Sequence, residues 1–314
     1  MTDLSIQAVN LTKKYGSFIA LDNLNLKIEG SKCVGFLGPN GAGKTTTLKI
    51  FTDMIFASSG SALINGVSVH SNKREALKHC GSLIETPEIY PSFTPRVALS
   101  MIAEIRGIAA SERKKRIEQA ISEVRMQEWI DKKVGKFSKG MKQRIDIASA
   151  LLSEPDIVML DEPTAGLDPR GSAEVRDIVK SLKKKNRLVF MSSHLLPEVS
   201  EICDEVAMID HGKLLVYDTL TNVTWKFSGG GSYTVVEVEF SRPVDNTNAI
   251  SSIQSVMSVE KMDSRNLRIK FSGGLQTQEN LVSQLESMNL GMISFRAASS
   301  ALEDSYLNLI KDTQ

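Results

Sequence analysis

The chain is poor in cysteine. Its 314 residues hold three: Cys33, Cys80 and Cys203. They are widely spaced, so they form neither a metal-ligand pattern nor a disulfide framework, and they fit a reducing compartment. An excess of one charge sign is also missing. Lys plus Arg number 38 against 37 Asp plus Glu, a formal net charge of +1. That balance demands neither nucleic acid nor an acidic lipid surface. No basic run interleaves with aromatics, so nucleic acid is not an expected partner. No apolar run approaches the roughly 20 residues of a spanning helix, so the chain is not expected to cross a bilayer by itself. The opening MTDLSIQAVN lacks the charged-then-apolar design of a secretory signal. What remains is an ordinary globular composition, 41% hydrophobic and 24% charged. The length suggests about two domains.

One stretch organises the rest. Val34 to Leu37 reads as a short apolar strand, and Leu48, Ile50 and Phe51 open a helical pattern. Between them lies Gly38-Pro39-Asn40-Gly41-Ala42-Gly43-Lys44-Thr45-Thr46. Gly38 to Thr45 matches the phosphate-binding pattern G-x-x-x-x-G-K-[ST] at every fixed position. Glycines let the backbone bring its N–H groups against phosphate oxygens, since no Cβ blocks the approach. The helix start adds unpaired N–H groups and a positive dipole end. Lys44 can reach β- and γ-phosphates as a point charge, and the Thr45 hydroxyl can face Mg²⁺.

The N-terminal segment reads as antiparallel strands. Ser5 to Asn10 alternates, and Leu24, Leu26 and Ile28 share one face of a second strand. Thr12 to Gly16 reads as a polar turn, with Tyr15 either an aromatic plate under a base or an ordinary surface tyrosine. Asn65-Gly66 is a hairpin signal, and Cys80 to Ile84 a strand end. Val97 to about Ser153 reads as mostly helical, with Ser111 and Ser138 as N-caps. Ile157 to Leu160, Leu188 to Met191 and Val206 to Ile209 are short apolar runs, as in a parallel sheet buried on both faces. Strands alternating with helices argue for an α/β core.

Three further constellations carry chemistry. Asp161 closes a buried strand and is a Mg²⁺ carboxylate candidate. Glu162 follows it, and alternation along the strand would point it elsewhere, to polarise a water. Phe137-Ser138-Lys139-Gly140-Met141-Lys142-Gln143-Arg144 offers a second helix start for a phosphate. His194, after the run ending Ser192-Ser193, could meet a γ-phosphate oxygen. After Phe227-Ser228-Gly229-Gly230-Gly231-Ser232, a flexible joint, the pattern restarts. It reads β-α-β-β-α-β plus a terminal helix over 301–310, the split-βαβ order.

In order along the chain, these residues resemble the ATP-binding subunits of ABC transporters. Tyr15 is similar to the adenine-stacking aromatic and GPNGAGKTT to the Walker A loop. FSKGMKQR resembles the family signature, IVMLDE resembles Walker B with its catalytic glutamate, AGLDP (Ala165 to Pro169) the D-loop, and SSH the switch histidine. The resemblance spans residues 4 to 219. It implies ATP and Mg²⁺ as cofactors and two subunits packed head to tail. Each ATP would lie between one chain's Walker loop and the other's signature. Ser138 and Gly140 would meet the partner's nucleotide, and Asp168 would report across the interface. Glu162 would be general base, His194 the γ-phosphate sensor, and Thr45 and Asp161 the metal side. Glu85 stands at the position usually held by a metal-facing Gln. Lys139 and Met141 depart from the usual Gly and Gln of the signature.

The expected architecture is therefore a P-loop NTPase core with an antiparallel β subdomain and a helical subdomain, followed by a ferredoxin-like α+β accessory domain. The expected domains are 1–226, with the helical part at about 86–153, a glycine-rich linker at 227–231, and 232–314. Ile84-Glu85-Thr86-Pro87, FSKGMKQR and the ending from Ala301 to Tyr306 resemble the branch of bacitracin, lantibiotic, drug and sodium exporters. The resemblance implies a second ATPase subunit and a multi-spanning membrane permease as partners, and a peripheral place on the cytoplasmic face of the membrane. The rival readings are a soluble ATPase acting on ribosomes or DNA, and a non-hydrolysing nucleotide-binding scaffold.

Overall fold

A computed structural model describes residues 4–85, 89–227, 233–244, 246–273 and 275–299. In chain order the first unit runs β1 (Ser5–Tyr15), β2 (Phe18–Glu29), β3 (Cys33–Leu37), α1 (Lys44–Phe51), β4 (Ser59–Ile64), β5 (Val67–Ser68), α2 (Lys73–Ala76) and β6 (Cys80–Leu83). It continues α3 (Pro95–Ile105), α4 (Ala110–Glu123), α5 (Lys139–Leu151), β7 (Ile157–Leu160), α6 (Pro169–Lys183), β8 (Leu188–Ser193), α7 (Leu196–Ile202), β9 (Glu205–Asp210) and β10 (Lys213–Thr219).

The chain splits into two compact units between Asp218 and Thr219. That division is earlier than the boundary expected from sequence, so α8 (Leu220–Phe227) belongs to the second unit. Most of the expected glycine joint, and the expected last helix, lie outside the described residues.

Two sheets build the first unit. One has the order β2-β1-β4-β5, with antiparallel pairing throughout. Leu24, Leu26 and Ile28 alternate inward as period two requires. The expected turn at Thr12 to Gly16 is corrected here. β1 runs on through Tyr15, because Lys14 pairs with Ile19 and Tyr15 with Phe18. Hairpin pairing with β2 across Gly16 overrides a polar local composition.

The other sheet has the order β10-β9-β3-β8-β7-β6. The β9-β3, β3-β8, β8-β7 and β7-β6 pairs are all parallel. Every residue of β3, β7 and β8 is buried, as strands covered on both faces must be. Phe36 of β3, Phe190 of β8 and Phe51 of α1 meet under the phosphate loop, with ring centroids 5.2 and 6.4 Å apart. Truncating such a ring costs about 3–5 kcal/mol, so this cluster fixes α1 on the sheet.

The helical region holds α3, α4 and α5. Thr94 caps α3 and Ser138 caps α5 through their hydroxyls. Ser111 does not cap α4, contrary to the sequence expectation. The N-cap is Ala109, and Ser111 lies inside the helix. A tight turn through Gly107, at φ +72°, starts the helix early and brings Ile117, Ala120 and Ile121 inward.

The second unit contains β11 (Tyr233–Phe240), α9 (Asn248–Ser251), β12 (Val256–Lys261), β13 (Asn266–Ser272), α10 (Leu275–Ser287) and β14 (Met292–Ser299). Its sheet order is β12-β13-β11-β14, all antiparallel. This is the split-βαβ arrangement expected from the sequence. Val238, Phe240, Leu267, Ile269 and Leu281 form its own core.

Candidate active site

The loop between β3 and α1 is shaped by its glycines. A Cβ on Gly38 would come within 2.3 Å of the Ile209 carbonyl oxygen. Gly43 caps α1 at φ +107°, a conformation that side chains resist. The Gly38 N–H donates to Ser193 O at 3.3 Å, and Gly212 N–H donates to Ala42 O at 3.0 Å. The loop is thus tied to the ends of β8 and β9. Lys44 is buried, and its Nζ donates to Gly38 O at 2.8 Å and Pro39 O at 3.0 Å.

The carboxylates stand beside this loop. Thr45 Oγ1 donates to Asp161 Oδ2 at 2.8 Å. Ser192 Oγ donates to the other oxygen, Asp161 Oδ1, at 2.5 Å, and accepts from Glu162 N at 2.9 Å. Glu162 Oε1 lies 3.4 Å from Lys44 Nζ. Its Oε2 lies 3.0 Å from His194 Nδ1. Lys44, Thr45, Asp161, Glu162 and His194 therefore form one bonded cluster. The separation of the two acids has a different cause from the expected one. β7 ends at Leu160, so strand alternation does not act. Glu162 turns away because its backbone is left-handed, at φ +43°. Such a conformation is strained for a residue other than glycine.

Ser192 belongs to the SSH stretch, but that resemblance points to the histidine and gives no role to the serine; the usable signal is a hydroxyl closing an otherwise apolar run. Glu85 is not joined to the cluster. Its carboxylate pairs with Lys49 and is largely exposed. Tyr15 closes β1 about half-exposed, with Lys13 Nζ 4.8 Å from its ring centroid.

A second concavity, of about 520 Å³, is lined by Trp129, Ser138, Gly140, Arg144 and Asp168. Ser138 Oγ accepts from Met141 N at 3.2 Å. Gly140 lies against Gly171, where a Cβ would sit 3.2 Å from Gly171 Cα. Asp168 is the N-cap of α6, with no side-chain hydrogen bond to the helix. Lys139 Nζ donates to Ala165 O at 3.2 Å, bracing the segment that leads to Asp168. No hydrogen bond or ion pair among the described residues joins Ser138 to Lys44.

The donor set suits Mg²⁺. A hydroxyl and one carboxylate are the usual protein share, phosphates and waters completing the shell. Among the described residues no group of three or more His, Cys, Asp or Glu could hold a metal without such help.

The family model of the ABC transporter matches residues 21–165. The bacitracin transport ATP-binding protein BcrA of Bacillus licheniformis is 44% identical over 211 residues, 67% of this chain and 68% of that protein. This chain belongs to the ATP-binding subunits of ABC transporters. The lantibiotic transport ATP-binding protein SrtF of Streptococcus pyogenes is 35% identical, over 70% of this chain and 94% of the relative. The linearmycin resistance ATP-binding protein LnrL of Bacillus subtilis is 28% identical and covers 97% of both chains. The ATP-binding subunit is therefore matched through its second unit as well. Among solved structures, an ATP-binding subunit of an ABC transporter aligns with a TM-score of 0.63 at 26% identity, over 72% of this chain and 95% of that one. The ABC subunit binds ATP and hydrolyses it.

Proposed function

We propose that this ABC subunit drives export of an antimicrobial peptide or a drug, as the names of its relatives suggest. It works on the cytoplasmic face of the membrane, held there by a multi-spanning permease. No helix among the described residues is long and apolar enough to cross a membrane. The observation that carries the chemistry is Glu162, set between Lys44 Nζ at 3.4 Å and His194 Nδ1 at 3.0 Å.

Lys44 and the α1 N-terminus hold the triphosphate. Thr45 and Asp161 would hold Mg²⁺, which neutralises charge on the β- and γ-oxygens when bound. Glu162 Oε2 accepts the proton of the attacking water, and His194 keeps that carboxylate aimed. Tyr15 stacks on the adenine. Ser138, Gly140 and Asp168 serve the nucleotide of a second copy, packed head to tail. Val97, Met101 and Ile105, exposed along α3, meet the permease.

Glu162→Gln should retain ATP binding and lower steady-state phosphate release about 100-fold, in the range for a lost general base. Wild-type turnover in that variant would end the assignment of Glu162. Lys44→Ala should instead lose ATP affinity, read by nucleotide titration.

A further inference from the structure

A buried carboxylate needs hydrogen bonds or a cation. Glu198, in α7, is 7% exposed. No cation pairs with it among the described residues. Its Oε2 instead accepts from two hydroxyls: Thr164 Oγ1 at 2.7 Å and Ser193 Oγ at 3.1 Å. Both donors are themselves buried.

The two donors come from the two loops that meet at the catalytic pair. Thr164 lies two residues after Glu162, in the same turn, where Ala165 N donates to Glu162 O at 3.0 Å. Ser193 immediately precedes His194, and its Oγ also accepts from Leu195 N at 3.0 Å. The turn carrying His194 is thus closed on the Ser193 hydroxyl. One oxygen of Glu198 therefore ties the Glu162 loop to the His194 loop. The other side of the same arrangement is the 3.0 Å contact between Glu162 Oε2 and His194 Nδ1.

We propose that Glu198 is a positioning residue for ATP hydrolysis, holding the Glu162 and His194 loops in register through one shared acceptor oxygen. It touches no substrate atom. The proposal rests on the roles given above to Glu162 and His194. A carboxylate whose only task was to fill space would be better replaced by an apolar side chain, since its desolvation is costly. Glutamine can offer one carbonyl oxygen to both hydroxyls and should therefore do the same work.

The test measures steady-state phosphate release by the full chain for Glu198→Ala, Glu198→Gln and Thr164→Val, with Glu162→Gln alongside. Glu198→Ala and Thr164→Val should lower kcat about tenfold or more, since small misplacements of catalytic groups are that costly. Their KM for ATP should stay within about twofold, because no ATP-binding contact is removed. Glu198→Gln should keep about half of kcat or more, one neutral acceptor replacing a charged one. The imidazole NMR signal of His194 should move in the Ala and Val variants and return in Glu198→Gln. If Glu198→Ala does not fold, Thr164→Val, which is nearly isosteric, reads the same bridge. Wild-type kcat in Thr164→Val and Glu198→Ala, with Glu162→Gln stalled, overturns the role of Glu198 alone. A Glu198→Gln variant as slow as Glu198→Ala overturns the shared acceptor. Full turnover in Glu162→Gln overturns the underlying reading of the site.

Discussion

Asp146 lies in α5, the helix that Ser138 caps, and is 2% exposed. Burial pushes its carboxyl up to about 7, while Lys142, one turn earlier, pulls it down. In the unfolded chain the same acid ionises near its ordinary 3.8. Between those values the folded state binds a proton that the unfolded state lacks. Stability therefore falls as pH rises through that window, and is flat above it. Asp146→Asn removes the dependence. The wild type should melt lower at pH 7.5 than at pH 5 by roughly 5–10 °C, the shift of about 2–3 kcal/mol in a domain of this size. The variant should lose less and be the more stable protein at pH 8. Parallel melting curves for the two proteins would show that Asp146 does not titrate in that range. At this scale the sequence is legible where residues are chained by short fixed spacings. Lys44 and Thr45 follow the glycines directly, and Asp161 and Glu162 follow directly on one apolar strand. Ser192 and Glu198 escape such a reading, because their partners lie 31 and 34 residues away along the chain.

The three residues on α3 belong to the next scale. Val97, Met101 and Ile105 recur every four positions, so they share one face of the helix. They are 46%, 49% and 83% exposed. An apolar stripe left in water along one helix suits a protein partner. Met101→Glu with Ile105→Glu should weaken co-purification with the permease at least about tenfold, about 1.4 kcal/mol. The melting temperature should hardly move, since surface changes stay within about 0.5 kcal/mol. Undiminished co-purification would remove α3 from the interface. Elements proved legible where burial follows a clean period. β2 alternates, β7 and β8 are apolar throughout, and α10 buries Leu281 and Leu285. They were misread where strand pairing across a turn or an early helix start decides. Tyr15 extends β1 because Phe18 pairs with it, and Ser111 lies one residue inside a helix that Gly107 lets begin early.

At the scale of the whole molecule, the proposed head-to-tail pairing makes two helix starts of the first unit complementary halves, each facing a different nucleotide. Lys44 lies at the N-terminus of α1, and Ser138 with Gly140 at the N-terminus of α5. Each end offers N–H groups and a positive dipole to a phosphate. With no bond between them inside the chain, a second copy is the natural source of the missing half. ATP would then act as the adhesive of a symmetric pair, and slow hydrolysis would prolong the pairing. Glu162→Gln with ATP and Mg²⁺ should run as a dimer in size-exclusion chromatography with light scattering, and as a monomer with ADP. Adding Ser138→Arg places a bulky side chain in the groove that Ser138 lines. It should weaken the dimer at least about tenfold while leaving ATP titration at the Lys44 half-site intact. An equally stable dimer would mean that this groove is not the second wall of the nucleotide site, and the α5 N-terminus would then need another partner.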